Sequence, residues 1–484
     1  MSETVRKTLR NTTLLIAFEV ANPLLSLILV GTMTRKLGPE GFGAYSLLLN
    51  YFFVLHSFTS LGLNALITRE VARDKDGAGR YLGSAALLGL AVTLAGAVSL
   101  MAVVRWAGYG PEMERAAWPV ALALIPSIVI LYSESIFIAF EKIQYIVYLA
   151  MLENTLKVGI GLWLLKEGFG VHALILSFTA LRYLNLVLNL WIFHRRIHRL
   201  PWRFDGAVVS TLARGIPVFG TILIVATLYA RADVFLLSKM ATLAAVGYYM
   251  AAYRLFSITQ VVPKSFNTSI YPVLSSLFSR SLDDYRKAKS LSIRYILVVL
   301  LPIAAGIYGL ADPLVRLLFG QDFNAAAPVL RVVIWTLVPY GVTKVLASSL
   351  FASDRQVIDL KVNILGLATN AGLNLFLIPR YGALGCAWAT LLSICVFLGC
   401  QFLFLRGEIL SILARAEVFR PALAAGAILA WLSLTEFLPL PVRVAGGAVI
   451  YVLLLFLLQV IKISEFRMVL PRRFLAGLPE EREP

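Results

Sequence analysis

Charge is what this 484-residue sequence has least of: Asp, Glu, Lys and Arg make up 15% of it, against roughly a quarter in a soluble globular protein. With 59% hydrophobic residues and a mean hydropathy of +0.81, that shortage excludes a soluble fold. Cysteine is nearly missing as well. Cys386, Cys395 and Cys400 share one apolar run without C-x-x-C spacing, so neither a disulfide framework nor a zinc site is expected. No G-x-x-x-x-G-K-[ST] segment occurs, which argues against ATP hydrolysis by this chain. Of the few histidines, His194 and His198 have helical metal-ligand spacing. They lie in a basic loop without carboxylate or cysteine neighbours, so no metal site is expected, and His56 and His172 stand singly.

Long apolar runs fill the rest. A bilayer core of roughly 30 Å needs about twenty helical residues per crossing, because only an internally hydrogen-bonded backbone survives in hydrocarbon. About fourteen runs qualify: 12 to 34, 42 to 66, 82 to 104, 116 to 140, 143 to 165, 171 to 193, 212 to 238, 244 to 266, 293 to 318, 328 to 351, 357 to 378, 382 to 405, 420 to 438 and 442 to 461. Pro263 and Pro272 make the stretch from Ser257 to Leu277 the least regular. The first run has no small-residue cleavage site behind it and reads as a retained helix, not a signal peptide.

The formal charge of +17 would suggest nucleic acid in a soluble protein, but here the basic residues sit between apolar runs and read as topology and lipid contact. Of the 44 Lys and Arg, about 28 fall on the side holding the N-terminus, about 9 on the other and roughly 7 within helices. Both termini are therefore expected in the cytoplasm. The outward connections are short and leave no room for an external catalytic domain, so no enzyme and no catalytic residues are expected.

The segment KLGPEGFGAY at 36 to 45 has an echo in KMATLAAVGYY at 239 to 249, and EGFGVHALILS at 167 to 177 has one in PRYGALGCAWAT at 379 to 390. Two echoes in the same order at similar spacing argue for a duplicated six-helix unit. Six is even, so both copies share an orientation, as parallel repeats about an axis along the membrane normal. The expected architecture is all-α: one bundle over 1–200, a second over 201–410, a central cavity between them, and two additional helices with a tail over 411–484.

A charge at mid-membrane costs at least about 3 kcal/mol, so such residues face a cavity or another helix. Glu19, Asn22 and Ser26 share a face of the first helix, and Asn50, Ser57, Ser60 and Asn64 form a stripe on the second. Glu153 and Lys157 are spaced for an i, i+4 pair on the fifth, Arg182 sits with Asn185 and Asn189 on the sixth, and Asn363, Asn370 and Asn374 mark the eleventh. The Asn and Ser stripes suit either helix-to-helix hydrogen bonding or a cavity-facing role. Arg231 and Asp233 lie about 200° apart around their helix and cannot pair with each other. Arg254, Ser257 and Lys264 fall within about 80° on the eighth helix, and Lys344 follows a P-Y-G break in the tenth. Arg331, one turn inside the outer boundary, is expected to snorkel to headgroups. Cations around a cavity suit an anion, since Arg offers a planar fork of donors matching phosphate oxygens.

The segments RKLGPEGFGAYSL at 35 to 47, Asp233 followed by VGYYMAAYRL at 246 to 255, and PRYGALGCAWATLLS at 379 to 393 resemble the polysaccharide transporter family of the multidrug/oligosaccharidyl-lipid/polysaccharide flippase superfamily. The resemblance follows the chain in order over nearly its whole length. It implies two six-helix bundles around a V-shaped, cation-lined lumen, alternating access, and a polyprenyl-phosphate- or pyrophosphate-linked oligosaccharide as cargo in the plasma membrane. Arg254 is the position most similar to the essential lumen arginines of the superfamily's lipid II flippases. Expected headgroup ligands are Arg182, Arg254, Lys157 and Lys344, then Arg231 and Lys264; Glu19, Glu153 and Asp233 are candidates for H+ or Na+ coupling, with no organic cofactor. Expected partners are membrane lipids, the lipid-linked oligosaccharide and polysaccharide biosynthesis enzymes, without nucleic acid. The alternatives are a multidrug or metabolite exporter on the same fold, a lipid II-type flippase, a membrane glycosyltransferase or polymerase, and a scaffold that transports nothing.

Overall fold

A computed structural model of the chain describes residues 3–197, 204–405 and 419–460, with side chains from Asn22 onward except at eight positions within 218–230. Among the described residues the chain is helical, without a strand. The helices are α1 Glu3–Thr59, α2 Leu63–Arg73, α3 Ala78–Ala107, α4 Pro111–Ala139, α5 Ile143–Lys166, α6 Val171–Arg196, α7 Gly206–Met240, α8 Leu243–Thr259, α9 Val261–Arg280, α10 Leu282–Gly309, α11 Ala311–Phe319, α12 Ala326–Ile334, α13 Leu337–Ala352, α14 Gln356–Phe404, α15 Phe419–Leu434 and α16 Leu440–Leu457. Eight spans among them are long and apolar enough to cross a bilayer on their own.

Every apolar run of the sequence lies in this series, which makes an integral membrane fold of about fourteen crossings. Two crossings share α1, which turns at Gly38 (φ 67°) ahead of Pro39, and two share α14, which turns at Gly382 (φ 54°) beyond Pro379. Positive φ is open to glycine without steric cost, so both turns stand where the sequence supplies one.

Four expected boundaries are corrected. The run 42 to 66 ends at Thr59, where Leu61 and Gly62 take positive φ, and α2 then carries the chain on to Arg73. The run 244 to 266 breaks at Gln260, and α9 extends to Arg280; Pro263 falls in the first turn of α9, where a missing N–H costs nothing. The run 293 to 318 begins at Leu282, because Ser281 accepts from the Asp284 N–H and Asp283 and Asp284 meet the positive end of the helix. That run also breaks at Leu310 before α11. The run 328 to 351 breaks between Ile334 and Leu337.

The described chain forms two compact units. The first gathers the chain up to Val261 with Val315–Leu330 and Asn363–Ser393; the second gathers Val262–Leu314, Arg331–Val362 and the chain from Ile394 on. In the first, Leu63, Leu66, Ile67, Leu82, Ile128, Tyr132, Ile136 and Phe193 make a fully buried cluster joining α2, α3, α4 and α6. In the second, α10 packs on α13 and α15, with the Tyr451 hydroxyl of α16 donating to the Val298 carbonyl at 2.7 Å.

Within the first unit, the two segments of the first sequence echo meet. A Cβ on Gly43 would lie 1.9 Å from the Leu243 carbonyl oxygen, and one on Gly247 would lie 2.1 Å from the Pro39 carbonyl oxygen. Each glycine faces the residue four positions before the other, so α1 and α8 cross backbone to backbone in a reciprocal contact. Small residues permit this closeness between helices in a membrane.

Candidate functional site

A polar cavity of about 340 Å³ opens inside the first unit among α1, α4, α5 and α6, with room for about ten waters. Its ionisable lining is His56 from α1, Glu134 from α4, Glu153 and Lys157 from α5, and Arg182 from α6, with Asn22, Asn154 and Asn185 beside them. Helical spacing puts Glu153 and Lys157 one turn apart on one face, and the 3.6-residue repeat puts Arg182 and Asn185 together on the next helix.

Arg182 lies over the faces of Phe52 and Phe178, 5.9 and 5.6 Å from the ring centres. Both rings are buried, so they fix the height of the guanidinium. Its Nε stands 3.3 Å from Glu153 Oε1, an ion pair by distance, but no hydrogen bond is made from that nitrogen. The other Glu153 oxygen accepts from the Asn185 amide. The i, i+4 spacing favoured Lys157 as the partner of Glu153; the ion pair runs across to α6 instead. Lys157 keeps within electrostatic reach of Glu153, Arg182 and Arg254. Glu134 is held by no ion pair or hydrogen bond among the described residues.

Arg254 approaches from α8 beside Tyr45, its Nε buried without a hydrogen-bond partner. Arg231 donates to Asn50 Oδ1 at 2.7 Å and stands 4.7 Å over Phe53, which itself lines the cavity. Asn50 thus links α1 to α7, as its place in a polar stripe suggests. Asp233 makes no ion pair with Arg231 and is buried; it accepts from the Tyr249 hydroxyl at 2.5 Å and the Val234 N–H at 2.8 Å. The Tyr249 hydroxyl also meets Thr390 Oγ1 at 3.2 Å. Asn370 donates to Ser393 at 3.1 Å, another polar tie of the expected kind.

The structure therefore gathers Lys157, Arg182 and Glu153 at one cavity, with Arg254 in electrostatic reach and Arg231 behind Phe53. Lys344 and Lys264 belong to the second unit, where Lys344 stands 5.3 Å over the Tyr340 ring with Asp359 nearby and Lys264 is exposed. The side chain of Glu19 lies outside the described residues, as do His198 and the tail from 461. Arg331 corrects an expectation: it pairs with Asp312 of α11, so its charge is met by a carboxylate and not by snorkelling alone. Glu134 was not anticipated, although it is the single charge in the run from Ala116 to Phe140, a signal the sequence does carry.

Two family models match the chain. One, described as polysaccharide biosynthesis protein, covers residues 32–328, and one described as lipid II flippase MurJ covers residues 218–468. Among curated proteins, the probable low-salt glycan biosynthesis flippase Agl15 of Haloferax volcanii is 27% identical over 169 residues, 35% of this chain and 36% of that protein. The chain thus spans about a third of the length of that curated relative in the match. Among solved structures, lipid II flippase MurJ in an inward closed conformation aligns with a TM-score of 0.76 at 14% identity, over 91% of this chain and 97% of that one. An inward-facing multidrug resistance MATE family transporter of the MOP superfamily aligns with a TM-score of 0.66 at 17% identity, over 83% of this chain and 99% of that one. These two likenesses establish the fold that the chain shares with them.

Proposed function

Because this chain belongs to the polysaccharide biosynthesis protein family, we propose that it is a flippase moving a polyprenyl-phosphate- or pyrophosphate-linked oligosaccharide across the plasma membrane for cell-surface polysaccharide. The observation that carries this reading is the convergence of Lys157 and Arg182 on one polar cavity, with Arg254 in reach and Nε hydrogen-bonding capacity unused on both arginines. A guanidinium with free donors, set on an aromatic shelf, presents what a phosphate oxygen accepts. The headgroup enters from the cytoplasmic side and the lipid tail stays in the bilayer. The repeats over 1–200 and 201–410 then rock to expose it outward, the alternating access of paired bundles. Both termini are cytoplasmic, and Glu19, Glu153 and Asp233 are the groups through which a proton or sodium gradient would act. No bond is made or broken, so the chain is not an enzyme; its partners are the lipid-linked sugar, membrane lipids and the enzymes that build the polymer.

A second reading has one observation in its favour. Glu134 and Glu153 place two carboxylates in the same cavity, which suits a cationic drug on a multidrug exporter of this fold. Full-length protein in liposomes decides between them. Flipping of a fluorescent polyprenyl-pyrophosphate oligosaccharide is expected to fall at least about tenfold in Arg182→Gln and Arg254→Gln. Wild-type flipping in both variants, or efflux of a cationic dye without lipid flipping, overturns the flippase reading.

A further inference from the structure

Arg182 is held in place by aromatic faces, while its carboxylate partner is not aimed to receive a hydrogen bond from Nε. The pair is therefore asymmetric: the cation keeps its position if the carboxylate leaves. Glu153 has somewhere to go, since Lys157 lies one turn along the same helix and lines the same cavity. Facing the pair are Glu134 from α4 and His56 from α1. With His56 neutral and both carboxylates ionised, Glu134 and Glu153 offset Lys157 and Arg182 within the lining, and Arg254 in reach supplies the surplus positive charge.

Resting on the flippase reading of this site, we propose that Glu153 is an internal stand-in for the cargo's phosphate: it occupies Arg182 while the cavity is empty and yields it to a phosphate or pyrophosphate headgroup. A pyrophosphate linking lipid and sugar carries two charges against the carboxylate's one, and either linkage offers non-bridging oxygens that take two guanidinium N–H groups in parallel. It displaces Glu153 toward Lys157, and the exchange keeps every cation paired. A neutral glycolipid brings nothing to exchange and leaves the pair closed. Glu153 thereby sets cargo selectivity by competition and touches the substrate only by making way for it.

Competition has a signature that structural damage does not produce, because removing the competitor tightens binding. Full-length protein in nanodiscs is titrated with polyprenyl pyrophosphate, with inorganic pyrophosphate and with a neutral glycolipid. Glu153→Gln, whose amide oxygen still accepts from Asn185, is expected to bind polyprenyl pyrophosphate about tenfold more tightly than wild type. Asn185→Leu, which frees the carboxylate from its second tether, is expected to shift affinity the same way by about threefold. Equal or weaker binding in both variants, with Arg182→Gln still impaired, overturns the stand-in and leaves the flippase reading intact. Unchanged binding in Arg182→Gln overturns the site itself. A gain for inorganic pyrophosphate with none for the lipid assigns the exchange to a free anion and overturns the cargo assignment.

Discussion

At the scale of single residues, the informative quantity is which buried polar group has a partner. Asp233 depends on the Tyr249 hydroxyl at 2.5 Å and one backbone N–H. Tyr249→Phe keeps the ring and removes that donor, and an under-satisfied buried acceptor costs about 1–3 kcal/mol. Thermal unfolding of purified Tyr249→Phe is expected to show that loss, and an unchanged midpoint would show that the contact carries no weight. Asn50 and Arg231 act as a pair across α1 and α7. Asn50→Leu and Arg231→Leu are each expected to lower transport, with the double variant little worse than either, since residues sharing one contact are not additive. A fully additive double variant would separate their roles. These partners were only partly legible in the sequence. The positions of Glu153, Arg182 and Arg231 inside apolar runs announce that each needs an answer, but spacing along one helix offers only local answers. For Glu153 it offered Lys157; the Phe52 and Phe178 shelf places Arg182 closer. Asp312 was invisible as the partner of Arg331 for the same reason, since the turn between Phe319 and Ala326 separates α11 from α12, the two helices that bring them together.

At the scale of helices, the apolar runs read well because bilayer thickness sets their length, whereas their ends obey local chemistry that hydropathy does not see. Ser281 capping α10 and Pro263 opening α9 extend helices into stretches too polar to register as spans. The most consequential inter-helix contact is the crossing of α1 and α8. Gly43→Ala and Gly247→Ala push a methyl group against backbone carbonyls, which no rotamer change relieves. Each is expected to cost about 1–3 kcal/mol, read as a lower unfolding midpoint together with reduced transport. Gly399→Ala, with open space around its Cβ, serves as the control and should leave both unchanged. Equal behaviour of the three variants would mean that the crossing is slack.

At the scale of the whole chain, the Lys and Arg bias predicts a side for each connection. In a background with the three cysteines replaced by serine, Asp76→Cys is expected to react with an impermeant maleimide only from the cytoplasmic face, and Gly168→Cys only from outside. The opposite pattern would invert the topology and with it the side from which cargo enters. The membrane class and the helix count were legible at this scale because composition and hydropathy are sums over many residues. The cavity was not, since its lining comes from four helices spread between Asn22 and Asn185. The glycine crossing reaches further still. Its two sides are the same contact made twice, Gly43 against residue 243 and Gly247 against residue 39. Such reciprocity is the geometry of an isologous interface: one close approach is made in both directions, so Gly43→Ala and Gly247→Ala are expected to do damage of the same kind and size.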